Sequence, residues 1–128
     1  MSTPESRVKD RVREVLRECG AYYIQPVTGG YGASGAPDIL ACVDGVFFGI
    51  EVKAGRNKPT ELQKQNLRAI HAAGGVACVI NETNIDALAD LCAFVKAEGS
   101  RPHLWRPVLP KGITLEDQVP NIKLDNGR

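Results

Sequence analysis

Two β-rich runs, Ile39 to Val43 and Val46 to Lys53, are separated only by Asp44-Gly45. This dipeptide is favoured in two-residue type I′ hairpin turns, where both central positions need positive φ. Such a turn sets the register of the whole hairpin: Val43 faces Val46, and counting outwards in step places Asp38 opposite Glu51. Directly opposed side chains stand roughly 5 Å apart, and like charges there destabilise a sheet. Two carboxylates so placed want a cation between them. Side chains alternate along a strand, so Glu51 and Lys53 share one face while Ile50 and Val52 point into the core behind. Three ionisable groups therefore converge on one patch.

The rest of the chain supplies a scaffold for that hairpin. Ser2, Thr3 and Pro4 make a helix start, because a hydroxyl can cap the first free N–H groups and proline suits the first helical position. The spacing predicts a helix to about Cys19, ended by Gly20, with Val8, Val12, Val15, Leu16 and Cys19 on one apolar stripe. Ala21 to Gln25 reads as a short strand stopped by Pro26. The glycine-rich stretch Thr28 to Gly35 follows as a loop whose backbone can approach something closely. Thr60-Glu61-Leu62-Gln63 is a capping box opening a helix to Ala73, and Gly74-Gly75 ends it. Val76 to Ile80 is an uninterrupted apolar run, as expected of a strand buried on both faces and parallel to its predecessor across a helical crossover. Asn84 or Thr83 caps a last helix to about Glu98, closed by Gly99. The expected fold class is α/β, in the order αβββαβα, with a mixed sheet flanked by helices.

At 128 residues the chain has room for one domain, expected over residues 1–99. Residues 100–128 contain Pro102, Pro107, Pro110 and Pro120 and read as an arm, anchored by Leu104, Trp105, Val108 and Leu109 on its own domain or on a partner subunit. No apolar run approaches the roughly 20 residues of a membrane span, and Met1 to Asp10 carries no targeting pattern. The expected location is the cytoplasm, or a host cytoplasm. Cys19, Cys42, Cys78 and Cys92 are dispersed among apolar neighbours without zinc spacing, so they are expected to be reduced, buried packing thiols. His71 and His103 are isolated.

An all-oxygen patch of carboxylates suits a hard cation, Mg²⁺ or Mn²⁺, which keeps several waters and completes its shell with phosphate oxygens. Such an ion lowers the pKa of a bound water and polarises a phosphoryl oxygen, while a neighbouring lysine holds or helps deprotonate the attacking water. Together these groups suit hydrolysis of a phosphodiester. A net charge of +1 offers no global signature of nucleic-acid binding. Locally, however, Lys53 to Arg68 contains five bases against the single acid Glu61. Arg56, Lys58 and Lys64 are candidate phosphate contacts, and the alternative for the run is a solvated helix face.

Pro37-Asp38, a spacer of twelve residues and then Glu51-Val52-Lys53, set on this element order, resembles the PD-(D/E)XK nuclease superfamily. Gly35-Ala36-Pro37-Asp38-Ile39-Leu40, Gly45, and Thr60 with Gln63 extend the likeness to its VRR-NUC branch, which is related to Holliday junction resolvases. The likeness covers about Glu5 to Ile80 and leaves the C-terminal arm unaccounted for. It implies that Asp38 and Glu51 ligate the metal through carboxylates and Val52 through its carbonyl, and that Lys53 positions or activates water. It implies that Gln63 orients water or phosphate, although the capping box alone would employ the same side chain. It also implies an acid on the first helix. Of the candidates, Glu5 shares the stripe of Val8, Val12 and Leu16, whereas Glu14 points away. The alternative for Glu5 is a favourable interaction with the helix dipole.

The resemblance makes the expected substrate DNA, branched for preference, cut by a homodimer with no small-molecule cofactor and no membrane partner. Rival readings are a non-cleaving module that binds branched nucleic acid, an RNA-directed nuclease, and a phosphohydrolase acting on small nucleotides. The last lacks a Walker loop or a dinucleotide fingerprint.

Overall fold

A computed structural model describes residues 3–27 and 35–98. Ser2, residues 28–34 of the glycine-rich loop, Gly99, His103 and the expected arm at 100–128 lie outside these residues.

The first helix, α1 (Pro4–Glu18), opens on a capping box in which Thr3 Oγ1 accepts from the Ser6 N–H and Ser6 Oγ accepts from the Thr3 N–H. Pro4 occupies the first helical turn, as expected of a residue with no N–H to leave unpaired. After Cys19, Gly20 turns the chain with φ +78° into β1 (Tyr22–Ile24), which is shorter than the expected Ala21 to Gln25. The hairpin is formed by β2 (Ile39–Val43) and β3 (Val46–Val52), with Val43 opposite Val46 and Ile39 opposite Ile50. Asp44 and Gly45 both have positive φ, +49° and +87°, as a type I′ turn requires.

A second capping box, on Thr60 and Gln63, starts α2 (Glu61–Ala72). Then β4 (Val76–Ile80) pairs parallel with β3, and α3 (Ile85–Glu98) follows Asn84. The sheet runs β1-β2-β3-β4, antiparallel except for its last pair, and the element order is the expected αβββαβα.

Strand alternation divides the packing. Ile39, Ala41 and Val43 of β2 and Val46, Phe48, Ile50 and Val52 of β3 form the main core with Val12 and Leu16 of α1 and Leu88, Leu91 and Val95 of α3. On the opposite face Ala77 and Val79 pack with Leu67 and Ile70 of α2. A Cβ at Gly49 would lie 2.3 Å from the Ile70 side chain, so α2 sits close against β3. A Cβ at Gly35, where φ is +79°, would meet the Leu62 backbone at 2.7 Å, so only glycine lets the chain entering β2 pass the start of α2.

All four cysteines are free, and Cys78 and Cys92 are buried as expected. Cys19 is half-buried at the edge of the core, and Cys42 is exposed, which corrects the expectation of a buried thiol at both. Cys42 shares a cross-strand row with Tyr22 and Phe47, both also exposed, on the α2 side of the sheet. There α2 covers β3 and β4, and an apolar residue on β2 stays in solvent. No helix among the described residues is long and apolar enough to cross a membrane.

Candidate active site

Asp38 precedes β2 by one residue, so it stands opposite Glu51 just beyond the last paired residues, Ile39 and Ile50. Its side chain replaces the missing rung: the Val52 N–H donates to Asp38 Oδ2 at 2.8 Å. In an extended strand the N–H and C=O of one residue project to the same side, so the Val52 carbonyl is directed towards Asp38 as well. Val52's own side chain is fully buried in the main core, as expected.

Glu51 lies on the α2 side of the sheet, opposite Val79 of β4, and is only 2% exposed. It is the buried charged residue among the described core. Lys53 Nζ lies 3.5 Å from Glu51 Oε2, while Glu51 Oε1 is buried without a hydrogen-bond partner. Burial pushes the Glu51 carboxyl up to about 8, the Asp38 charge adds to the rise, and the Lys53 ammonium opposes it. A carboxylate oxygen held in the interior with no donor is expensive unless something positive meets it. The donor set is therefore two facing carboxylates, one with a buried, unpartnered oxygen, and a main-chain carbonyl. This is the chemistry of a hard-cation site, and the residues present fit Mg²⁺ or Mn²⁺.

Lys53 is one residue past the end of β3, and its N–H still donates to the Ile80 carbonyl at 3.0 Å. The chain then turns at Gly55, whose N–H donates to Glu82 Oε1 at 2.8 Å, tying the basic loop to the segment after β4. Arg56 and Lys58 are exposed on that loop, and Lys64 is half-buried on α2. Gln63 closes the capping box, its Oε1 accepting from the Thr60 N–H at 2.8 Å. The amide nitrogen, which can only donate, is the atom through which Gln63 can also meet a phosphate.

Glu5 is half-buried on the first turn of α1. The residue that α1 sets against Asp38 lies one turn later: Lys9 Nζ is 3.8 Å from Asp38 Oδ1. Lys9 is not among the residues the sequence singles out, because the resemblance implies an acid on this helix. The usable signal was that Lys9 follows Glu5 by four residues, on the same side of the helix. Among the described residues no three His, Cys, Asp or Glu side chains cluster, so the carboxylate part of the site consists of Asp38 and Glu51. A cleft of about 330 Å³ lined by Pro4, Arg7, Val8, Arg11, Glu82 and Ile85 contains none of these site residues.

Among solved structures, the chain is similar to one described as a VRR_NUC domain. The two share 26% sequence identity and a TM-score of 0.57 over 70% of this chain and 97% of that one. No family model matches the sequence, and no curated protein matches it.

Proposed function

From a VRR-NUC-like fold, restriction-endonuclease-like in its mixed sheet and flanking helices, we propose that the chain is a metal-dependent endonuclease hydrolysing phosphodiester bonds in DNA. The observation that carries this reading is the convergence of Asp38 and Glu51, with a buried, partnerless Glu51 oxygen, beside the Lys53 ammonium. A carboxylate oxygen buried without a partner, as in Glu51, is costly in a protein that does not use it.

In this reading Asp38, Glu51 and the Val52 carbonyl hold Mg²⁺ or Mn²⁺, and Glu5, on the first turn of α1, approaches the ion's water shell. When bound, the ion supplies a lowered pKa for water and polarisation of a phosphoryl oxygen. Lys53 holds the attacking water, assists its deprotonation and offsets charge on the phosphate. The Val52 N–H keeps the Asp38 carboxylate turned into the site. Arg56, Lys58 and Lys64 bind backbone phosphates, and the Gln63 amide nitrogen donates to phosphate or water. The domain is assigned to residues 1–99, working in a cytoplasm.

The preferred substrate is branched DNA, the four-way junction first, and the active species is a homodimer. Two cuts related by a two-fold axis need two such sites at fixed separation, which a two-fold dimer supplies. Labelled duplex, single-stranded, flap, four-way-junction and RNA substrates, each with Mg²⁺, Mn²⁺ or EDTA, test the proposal. Paired cuts on the junction in Mg²⁺, with a dimeric mass by light scattering, are expected. Cleavage that survives EDTA overturns the metal chemistry. A monomer nicking linear and branched duplexes equally overturns the substrate choice.

A further inference from the structure

We propose that the Lys9 ammonium stands at Asp38 in place of a second cation, and that the site, with two carboxylates and no third acid, takes one divalent ion per chain. This rests on the metal-dependent reading above.

Each carboxylate already has one oxygen matched by an ammonium. Asp38 Oδ1 faces Lys9 Nζ at 3.8 Å, and Glu51 Oε2 faces Lys53 Nζ at 3.5 Å. The two lysines approach from different elements. Lys53 follows β3, whereas Lys9 reaches the end of β2 from α1, which packs on the opposite face of the sheet from Glu51. Both Lys9 and Asp38 side chains are about three-quarters buried, at 26% and 25% exposed, which weakens the screening between them.

With all four groups ionised, their charges cancel. One divalent ion then leaves the site at about +2, opposite in sign to a phosphodiester. A second would place about four positive charges in excess among two carboxylates, with every like pair repelling among partly buried groups. The supply of oxygens leads to the same result. A hard cation of this kind keeps several waters but is still anchored to protein by one or two carboxylates, and the two present here are already shared with two ammonium groups and the first ion. Among the described residues no third acid joins Asp38 and Glu51. Glu82 Oε1 accepts from Gly55, and Glu61 pairs with Arg68. Lys9 provides a positive charge beside Asp38 that requires no ligands of its own. It is a positioning residue: it holds Oδ1 by charge, as the Val52 N–H holds Oδ2 by a hydrogen bond.

The test titrates the purified full chain with Mn²⁺ alone, reading heat by calorimetry and free Mn²⁺ by its paramagnetic resonance, with no substrate present. The wild type is expected to bind one Mn²⁺ per chain. Lys9→Met should keep one ion and bind it on the order of tenfold more tightly, because a like charge has gone. Lys9→Arg should return to the wild-type affinity. Lys9→Glu supplies the missing acid and should bind two, provided circular dichroism shows it folded; Lys9→Met carries the test if it does not. A structural lysine would lower the melting temperature of Lys9→Met and leave its Mn²⁺ affinity unchanged, and that result overturns the inference. Two ions per wild-type chain overturn it while leaving the nuclease reading intact. No Mn²⁺ binding by the wild type overturns both.

Discussion

The Val52 N–H donates to Asp38 Oδ2 at 2.8 Å, extending the β2–β3 pairing one rung past Ile39 and Ile50 with a side chain in place of a carbonyl. The same carboxylate is thereby a structural acceptor and a candidate ligand. Those two roles respond differently to substitution, and the difference can be measured.

Asp38→Asn keeps an acceptor for the Val52 N–H and loses the charge, so it should unfold close to the wild type while losing most of its Mn²⁺ affinity and all detectable cleavage. Asp38→Ala leaves that N–H without its partner and should lose about 1–3 kcal/mol besides. Urea denaturation alongside calorimetric Mn²⁺ titration separates them. Equal stability of the two variants would remove the structural role of the bond.

In EDTA, Glu51 should make the protein less stable as pH rises. Its folded-state pKa of about 8 lies above the ordinary value of about 4.5, so its contribution is complete below 4.5 and is lost as pH rises through 8. Over that window the unfolding free energy should fall by up to about 1.4 kcal/mol per pH unit. Glu51→Gln should show none of this slope and be more stable than the wild type at pH 8, yet inactive. Denaturation curves at pH 5, 7 and 9 check both points, and a wild-type slope that persists in Glu51→Gln would assign the effect elsewhere.

Lys53→Met should lower kcat by about 10²–10⁴-fold with little change in DNA affinity, the range for loss of a group that moves or holds a proton. Arg56→Ala and Lys58→Ala, on the exposed loop beyond it, should instead weaken binding and reduce the salt slope by about one phosphate contact each. Single-turnover rates and salt-dependent binding curves distinguish them. A Lys53→Met variant with wild-type kcat and raised KM would move Lys53 to the binding surface.

Gln63→Glu should preserve the start of α2, since a carboxylate accepts from the Thr60 N–H as the amide oxygen does. It removes the donor and adds a negative charge near the phosphate, so turnover should fall at least about tenfold while the unfolding free energy stays within about 0.5 kcal/mol. Gln63→Ala should lose both, with about 1 kcal/mol from the cap. Wild-type turnover by Gln63→Glu would confine Gln63 to capping.

The hairpin register, and with it the pairing of Asp38 with Glu51, was legible from two residues. Asp44-Gly45 admits few turn geometries, and a two-residue turn leaves the strands no freedom to slip. The helix starts at Thr3 and Thr60 were legible for a similar reason: a cap is a contact within four residues, and local sequence contains both partners. The same holds for β4, whose five apolar residues require cover on both faces.

What lay beyond the sequence depended on which element covers which face. Helical periodicity places Glu5 and Lys9 on one side of α1, but the axial position of that helix against the end of β2 is set by how Val12 and Leu16 pack in the core, and this brings Lys9 to Asp38. Likewise, alternation puts Cys42 and Glu51 on the same face of the sheet. Only the placement of α2 over β3 and β4 leaves Cys42 in solvent and Glu51 at 2% exposure. The sequence by itself determined which carboxylates meet, because register is a local property of turn and strand. The tertiary structure decided how deeply Glu51 is buried and which ammonium faces Asp38, because burial and charge pairing arise between elements that the chain brings together only when the core closes.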